Sequence, residues 1–427
     1  MARFLHFVWL ALCVVALPVT SQTATETLGG ADRHELALPD RRYLFGDWGG
    51  ARSRLEERGV NFDIRYVSDT LWNLKSVQPD RVAMWNRVRG TVDVDLGRLF
   101  QAGGWYFHAT ALWQGGGNLG AYLGLIASPS GMSSANTFRL DSWWLEKRWR
   151  EERIVIRAGQ FAGQDFYGSQ HDASSFIVEP MGYALNNLFN TRESYDPPST
   201  PAAEVRVSTL RYLYLKSMVL GAERDPYSHD PTGLRPQFRE NAMSVSEIGL
   251  SPGKKASSVR SFDNVESRKG YSGLYRFGAA YNPATFTNST GRRSRSGNYL
   301  LYGMATQALW RVDRREAKGL DATAAADWIP ADVNLNNRVL TAGLRFNEPL
   351  PVRFHNTISF GYVSNSLSSQ FATAYGRPWK SENGFEVNAL LQVTRMLLFQ
   401  PVIQMFENAG GGSGRVVVVG FRTKIEL

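Results

Sequence analysis

The chain has 427 residues, and 48 Lys and Arg against 39 Asp and Glu give a formal net charge of +9. Charged residues are 20%, aromatic residues are 12% and glycines number 40, a composition that favours a β-rich chain with tight turns over a helical one. After residue 21 there is no apolar run of about 18 residues, which excludes a polytopic helical membrane protein. The 43% content of hydrophobic residues excludes a disordered chain.

The first residues have the pattern of a secretory signal. Arg3 supplies the positive charge, residues 4–17 form an apolar stretch, and Pro18 precedes the small-residue site Val19-Thr20-Ser21. We therefore expect residues 1–21 to be a signal peptide that is removed, with an uncleaved anchor as the alternative. Because the single cysteine, Cys13, lies in this segment, the mature chain has no disulfide, no thiolate metal site and no cysteine nucleophile.

The basic excess does not indicate a nucleic-acid partner. Arginines are spread along the whole chain and often stand next to acids, as in residues 148–153. A nucleic-acid-binding protein concentrates its positive charge on one face. Because the chain is expected to be exported and its positive charge is scattered, nucleic acid is excluded as the expected partner.

A short helical segment is predicted ahead of the first strand. Residues 22–43 are polar and irregular and are interpreted as a flexible mature N-terminus. In residues 44–59, Asp47 can cap a short helix and Gly59 can end it.

From residue 60 the apolar pattern has a period of two, which is the main structural signal of the sequence. Residues 60–67 place Val60, Phe62, Ile64 and Tyr66 on one face and Asn61, Asp63 and Arg65 on the other. Residues 82–96 and 105–113 repeat this alternation. Further strands are predicted near 137–149, 153–162, 203–209, 212–222, 242–250, 271–282, 298–311, 321–329, 338–347, 355–365, 383–395, 397–406 and 415–427.

These segments predict an all-β, transmembrane antiparallel barrel of about 16 strands over residues 60–427. A β-sandwich is the other architecture that fits strands with one apolar face. Three features favour the barrel: strands long enough for a tilted span, Trp72, Trp105 and Trp113 near strand ends, and a final strand that can close against the first. Long and short connections alternate, except that 251–270 is long where a short turn is expected, so either a strand pair is missed there or the turn is extended.

Several blocks resemble the carbohydrate-selective porin family, often called OprB. The resemblance runs from about residue 44 to the end, and the order and spacing of the blocks carry it. The blocks are Phe45-Gly46-Asp47-Trp48-Gly49-Gly50-Ala51-Arg52, Ser134-Ala135-Asn136, Trp143-Trp144-Leu145-Glu146, Arg157-Ala158-Gly159-Gln160, Gln400-Pro401-Val402-Ile403-Gln404 and Val418-Val419-Gly420-Phe421-Arg422-Thr423. The chain has Asp141 where family members usually have an aromatic residue, and it ends in Leu427 where outer-membrane barrels usually end in an aromatic residue.

The resemblance implies a sixteen-stranded barrel in the bacterial outer membrane that admits sugars such as glucose. It also implies that the helical segment 44–59 lies in the periplasm. The expected partners are sugar substrates and outer-membrane lipid, and the oligomeric state stays open. A channel for another small solute such as an organic acid, or a barrel with a mainly structural or adhesive role, are the alternatives.

Candidate solute-binding residues follow from strand parity, because charged side chains opposite an apolar face must line the lumen. Sugars need hydrogen-bond donors and acceptors together with an aromatic surface, and arginine offers five donors in a fixed fork. Trp143 is predicted on the same face as Asp141, where it could stack on a sugar ring. The alternative is that these charges only keep the lumen wet. The candidates are Arg65, Arg87, Arg89, Asp93, Asp141, Trp143, Arg157, Glu204 and Arg206.

The connection 163–202 is the longest and is rich in small and polar residues. It can fold into the lumen and narrow it, or it can form an external shield. Its candidate solute contacts are Asp165, His171, Asp172, Glu179 and Arg192.

The sequence gives little support for catalysis. The histidines are isolated, with no paired metal-ligand spacing, and no Gly-x-Ser-x-Gly motif is present. We expect no enzyme activity, no metal site and no cofactor.

Overall fold

A computed structural model describes residues 40–169, 175–182, 199–223, 226–239, 241–253, 270–288, 291, 294–374 and 380–427. The strands are β1 (Val60–Lys75), β2 (Val82–Asp95), β3 (Trp105–Gly116), β4 (Thr137–Trp149), β5 (Ile154–Phe161), β6 (Thr200–Leu210), β7 (Leu213–Ala222), β8 (Asn241–Leu250), β9 (Gly273–Thr287), β10 (Ser294–Arg311), β11 (Gly319–Trp328), β12 (Asn336–Asn347), β13 (Asn356–Leu367), β14 (Glu382–Gln392), β15 (Leu397–Glu407) and β16 (Arg415–Glu426).

Short helices lie between these strands and before them. They are α1 (Ala51–Glu57), α2 (Leu96–Phe100), α3 (Leu119–Leu123), α4 (Glu179–Gly182), α5 (Pro226–His229) and α6 (Ser369–Ala374). Within the described ranges, no helix has both the length and the apolar character that a bilayer crossing requires.

The strands close into one antiparallel barrel. Each strand pairs with its neighbours in sequence, and β1 pairs with β16 from Arg65 opposite Glu426 to Lys75 opposite Val417. Closure leaves no strand edge without a hydrogen-bonding partner, which a barrel in lipid requires. The predicted barrel of sixteen strands is confirmed.

The long connection after β8 adds no further strand pair to the barrel wall. β8 is hydrogen-bonded directly to β9, with Ser244 opposite Tyr281 and Leu250 opposite Tyr275. The barrel wall therefore has no strand between β8 and β9, and residues 254–269 of the connection lie outside the described part of the chain.

The wall has apolar side chains outside and polar side chains inside. Phe277 on the outer face is 63% exposed, whereas the adjacent Arg276 on the inner face is 7% exposed. The tryptophans Trp72, Trp105 and Trp113 lie on the outer face near strand ends and are also exposed. An arginine turned to the lipid midplane would cost about 2–4 kcal/mol, so this arrangement fits a barrel whose outer face meets hydrocarbon.

The segment before β1 packs under the seam between β1 and β16. The side chain of Asp47 accepts a hydrogen bond from the Ser53 amide in the first turn of α1, at 2.9 Å. The guanidinium of Arg52 donates to the Phe62 carbonyl at 3.1 Å and to a Leu427 carbonyl oxygen at 3.0 Å. We call this end of the barrel the short-turn rim, since the β4–β5 and β6–β7 turns also lie here, and we call the other end the long-loop rim.

Candidate functional site

Two connections from the long-loop rim fold into the barrel and bind each other. They are the β3–β4 connection, residues 117–136, and the described parts of the β5–β6 connection, residues 162–169 and 175–182. The Gly131 amide donates to the Ile177 carbonyl at 2.9 Å, and the Glu179 amide donates to the Ser128 carbonyl at 3.0 Å. Together these segments form a polypeptide layer inside the lumen, which we call the luminal layer.

Two glutamates of β14 hold the luminal layer. Glu382 accepts hydrogen bonds from the backbone amides of Ile126 and Ala127, the latter at 2.7 Å. Glu386 accepts from the backbone amides of Ile177 at 2.8 Å and Val178 at 2.7 Å. A carboxylate that accepts two backbone N–H groups makes charge-assisted hydrogen bonds, which are stronger than neutral ones.

Side-chain packing adds to this attachment. Phe176 and Met181 sit against Gly343 of β12 and Gly361 of β13, which are directly opposite each other in the sheet. A Cβ atom at Gly361 would lie 2.7 Å from the Phe176 ring, so the two glycines form a recess for it. The two connections thus share an apolar contact with the inner wall of β12–β16.

The first part of the β5–β6 connection is held by a different wall. The Lys216 ammonium of β7 donates to the Phe166 carbonyl, and the Gly168 amide donates to Glu247 of β8 at 3.3 Å. Tyr302 also donates to Glu247, at 2.7 Å. The two described pieces of this connection therefore contact β7–β8 and β14–β15, and the alternative of a purely external shield is wrong for them.

The predicted site residues fall into an enclosed set and an accessible set. Arg157 donates to Glu146 with Nε at 2.9 Å and to Glu204 with Nη1 at 3.0 Å, and its side chain is only 11% exposed. Arg206 lies beside this group and is also buried. Because these guanidinium and carboxylate groups are hydrogen-bonded to one another and enclosed, they stabilise the barrel wall more than they bind a passing solute.

The accessible set is on β16, β1 and β2. Arg65 donates to Glu426 at 2.9 Å and lies 3.4 Å from Asp63, whose side chain is 45% exposed. Arg89 is directly opposite Arg65 in the sheet, and Arg87 donates to the Gln114 side chain at 2.9 Å. We name Asp63, Arg65, Arg87, Arg89, Asp93, Lys424 and Glu426 the accessible charge sector.

Asp93 is joined to a histidine that the sequence analysis did not include among the candidates. Its carboxylate lies 2.7 Å from His108 Nδ1, and the other ring nitrogen of His108 lies 2.9 Å from the Thr110 hydroxyl. The imidazole is stacked on the indole of Trp144, with 3.7 Å between ring centroids. The sequence pattern could have placed His108 on the inner face of β3, because its neighbours Phe107 and Ala109 lie on the opposite, apolar face.

The prediction that Trp143 shares the face of Asp141 is wrong. A β-bulge in β4 shifts the register, because Thr110 is opposite Ser142 whereas Ala111 is opposite Leu140. Asp141 is the additional residue and is buried, while Trp143 is opposite the outward-facing Ala109. One extra residue in a strand places every later side chain on the face opposite to the one that simple alternation predicts. Trp144 therefore points inward, but His108 covers one face of its ring.

The acidic anchors of the luminal layer were also not predicted. Glu382 and Glu386 alternate with Phe385 and Val387, so the period of two would have placed them on the inner wall. Of the residues proposed on the 163–202 connection, Asp165 lies in a short 3-10 turn and Glu179 begins α4. His171, Asp172 and Arg192 lie outside the described residues.

Comparison with known proteins assigns a family. The sequence profile of the carbohydrate-selective porin, OprB family, matches residues 83–427. The chain belongs to the OprB family of carbohydrate-selective porins. The family and the closed barrel confirm an outer-membrane porin, and they point to a channel rather than to an enzyme.

The individual relatives are distant in sequence. The chain is 27% identical to Porin B of Pseudomonas aeruginosa over 142 residues, which cover 31% of this chain and 31% of that protein. It is 21% identical to the putative porin QuiX of Acinetobacter baylyi over 408 residues, which cover 87% and 90% of the two chains. The fold is similar to that of Pseudomonas putida OprB at high pH, with a TM-score of 0.81, 17% identity and coverage of 92% of this chain and 100% of that chain.

Proposed function

We propose that this OprB-family porin passes small neutral sugars of the glucose class by passive diffusion along the accessible charge sector. The observation that supports it most is the network of Asp63, Arg65, Glu426 and Lys424. These groups alternate in sign, and their side chains keep between 18% and 45% of their surface exposed. A sugar hydroxyl both donates and accepts, so it can bind to a carboxylate and a guanidinium in turn.

The charge balance of this network favours neutral solutes. Arg65 binds Glu426 at 2.9 Å, and Lys424 binds the same carboxylate at 3.0 Å. Paired charges exert only a small net electric field on ions, and they still present hydrogen-bonding groups in fixed directions. Selectivity in a channel follows from the width of its bore and from the groups that line it. An aromatic platform is not part of this proposal, because Trp143 faces outward and Trp144 is covered.

Liposome swelling tests the proposal. Proteoliposomes are mixed with isotonic glucose, an amino acid or a small organic acid of similar size. We expect glucose to enter fastest. If the organic acid enters fastest, the neutral-sugar proposal is wrong.

One observation favours an organic acid as the second candidate solute. Arg65 and Arg89 face each other across β1 and β2, and Arg87 lies two residues away from Arg89 on the same face. Such a group of guanidiniums would attract a carboxylate. The swelling rates of glucose and acid decide between the two candidates.

A further inference from the structure

Basic side chains gather at the short-turn rim where strands β4 to β7 end. The β4–β5 turn and the β6–β7 turn are adjacent there, because the Ser208 amide donates to the Arg153 carbonyl at 2.7 Å. Both turns carry exposed arginines, and a lysine lies close to the end of β4. We name Lys147, Arg150, Arg153 and Arg211 the basic rim cluster.

Lys147 is on the outer face of the barrel, at the level of an aromatic belt. Its partners across the sheet, Trp105 and Ile156, are both exposed on that face. The Lys147 ammonium lies 5.1 Å from the Trp105 ring and 5.7 Å from the Trp149 ring, and it donates to the Gly103 carbonyl at 2.7 Å. Tryptophans of this kind lie at the membrane–water interface of a barrel, so the ammonium is held where lipid headgroups are.

The three arginines of the basic rim cluster are exposed and make no ion pair with any residue that the structure describes. Of the two acids in the β4–β5 turn, Glu152 is bound to Arg148 at 2.9 Å, so Glu151 is the acid that remains beside the cluster. Another turn of the same rim is arranged differently, because Arg353 binds Asp40 at 2.7 Å. The basic rim cluster therefore has an excess of positive charge that the protein does not neutralise.

The backbone of the β4–β5 turn holds charged residues in a conformation that favours glycine. Arg150, Glu151 and Glu152 have φ angles of 49°, 56° and 65°, which lie in the left-handed region. A residue with a Cβ atom is unfavourable there, and glycine would relieve the strain. Strained positions that keep large side chains are often functional.

An apolar surface continues from the basic rim cluster toward the middle of the membrane. Ile156 of β5 and Val205 of β6 are directly opposite each other, and both are exposed on the outer face. Leu215 of β7 is exposed on the same face. Short turns of an outer-membrane barrel face the periplasm, so this surface meets the inner leaflet of the membrane, which consists of phospholipids.

We propose that the basic rim cluster binds the headgroup of an anionic phospholipid in the inner leaflet of the outer membrane. Guanidinium and ammonium groups donate charge-assisted hydrogen bonds to phosphate oxygens, and clustered basic residues at a membrane surface attract anionic lipids. The acyl chains of the same lipid contact Ile156 and Val205. A zwitterionic headgroup fits less well, because its own cationic amine is repelled by the arginines.

The thermal stability of the folded barrel tests the proposal. The protein is placed in detergent micelles that contain phosphatidylglycerol or zwitterionic phosphatidylcholine, and the temperature at which the compact form on a gel converts to the unfolded form is measured. A ligand that binds only the folded state raises this temperature, so phosphatidylglycerol should raise it for the parent. The triple variant Arg150→Gly, Arg153→Gln and Arg211→Gln should lose most of that rise. A parent with equal temperatures in the two lipids, or a triple variant with the full rise, overturns the proposal.

Matched variants separate the charge of the basic rim cluster from the backbone of its turn. Arg150→Gly and Glu151→Gly both place glycine at a left-handed position, but they remove opposite charges. Arg150→Gly should reduce the rise caused by phosphatidylglycerol, whereas Glu151→Gly should keep or enlarge it. Arg353→Gln, which removes a paired arginine from the same rim, should keep the parental rise. Equal losses in all three variants would contradict a site at this cluster.

Discussion

At the scale of single residues, Arg87 and Arg89 project from the barrel wall into the lumen. Both lie on the inner face of β2, and Arg87 reaches the luminal layer, where Nη2 donates to the Met132 carbonyl at 3.4 Å. Arg89 is next to Arg65 in the accessible charge sector. The period of two in residues 82–96 predicted this inward facing, because Val88 and Val92 alternate with charged residues.

Replacing Arg87 and Arg89 by Ala should widen the pore. Two guanidiniums leave the lumen, so single-channel conductance should rise and block of the current by added glucose should weaken. Barrel assembly should persist, because changes in the lumen tune selectivity rather than insertion.

Planar-bilayer recordings measure both quantities. Arg338→Ala is the matched control, since Arg338 is exposed on the same face of β12 as Leu340. If the double variant keeps the conductance and glucose block of the parent, these arginines lie away from the narrow part of the pore.

At the scale of elements, strand positions were more predictable than side-chain facing or loop paths. The alternation of apolar residues is a local property, so all sixteen predicted strands correspond to strands of the barrel. The bulge at Asp141 breaks this local rule, and no glycine or proline marks it in the sequence. The path of the luminal layer depends on contacts between Ile126 and Glu382, residues that are 256 positions apart.

Glu386→Ala should release part of the luminal layer. The amides of Ile177 and Val178 would lose their acceptor, and an unsatisfied buried donor costs about 1–3 kcal/mol. We expect a larger and noisier single-channel current. Glu386→Gln should be milder because the amide oxygen still accepts a hydrogen bond. Glu407→Ala, at the exposed end of β15, should behave as the parent does, and a quiet current of parental size in Glu386→Ala would contradict the anchoring role.

The pore should also respond to pH through Glu179. Burial raises the pKa of this side chain from 4.5 to about 7, although a backbone hydrogen bond involving Ser128 lowers it. A raised pKa means that the docked segment prefers the protonated acid. This contribution to docking is therefore complete below pH 4.5 and is lost as the pH rises through about 7.

We expect the current to become larger and noisier between about pH 5 and about pH 8 as docking weakens. Glu179→Gln, which stays neutral, should remove this dependence. Glu407→Gln serves as the control with an exposed rim acid. A parental pH response in Glu179→Gln would assign the effect to another group.

At the scale of the whole molecule, closure of the barrel depends on the pairing of β1 with β16. Arg422 of β16 makes two bonds to Asp69 of β1, at 2.7 and 2.8 Å, and Asp69 also accepts from Ser130 of the luminal layer at 2.6 Å. Arg65 and Glu426 form a second pair across the same seam. The seam is thus joined by side chains as well as by the backbone ladder.

Asp69→Ala should weaken this seam. Breaking a buried ion pair costs about 3–5 kcal/mol because the remaining charge stays buried. The temperature at which the compact form on a gel converts to the unfolded form should fall. Arg415→Ala breaks an exposed pair with Glu407 between β15 and β16, which is worth about 0–1 kcal/mol, and should leave that temperature nearly unchanged. Equal temperatures for the two variants would mean that the seam does not depend on Asp69.

The anchoring of the luminal layer by β14 has a consequence for the order of assembly. The amides of Ile126 and Ile177 belong to the first half of the chain, whereas their acceptors Glu382 and Glu386 belong to its last part. Contacts between such distant segments form late, because a long loop must close before they are made. The pore therefore reaches its final bore only after the last strands are in place, and a barrel halted before that step would leak solutes that the finished channel excludes.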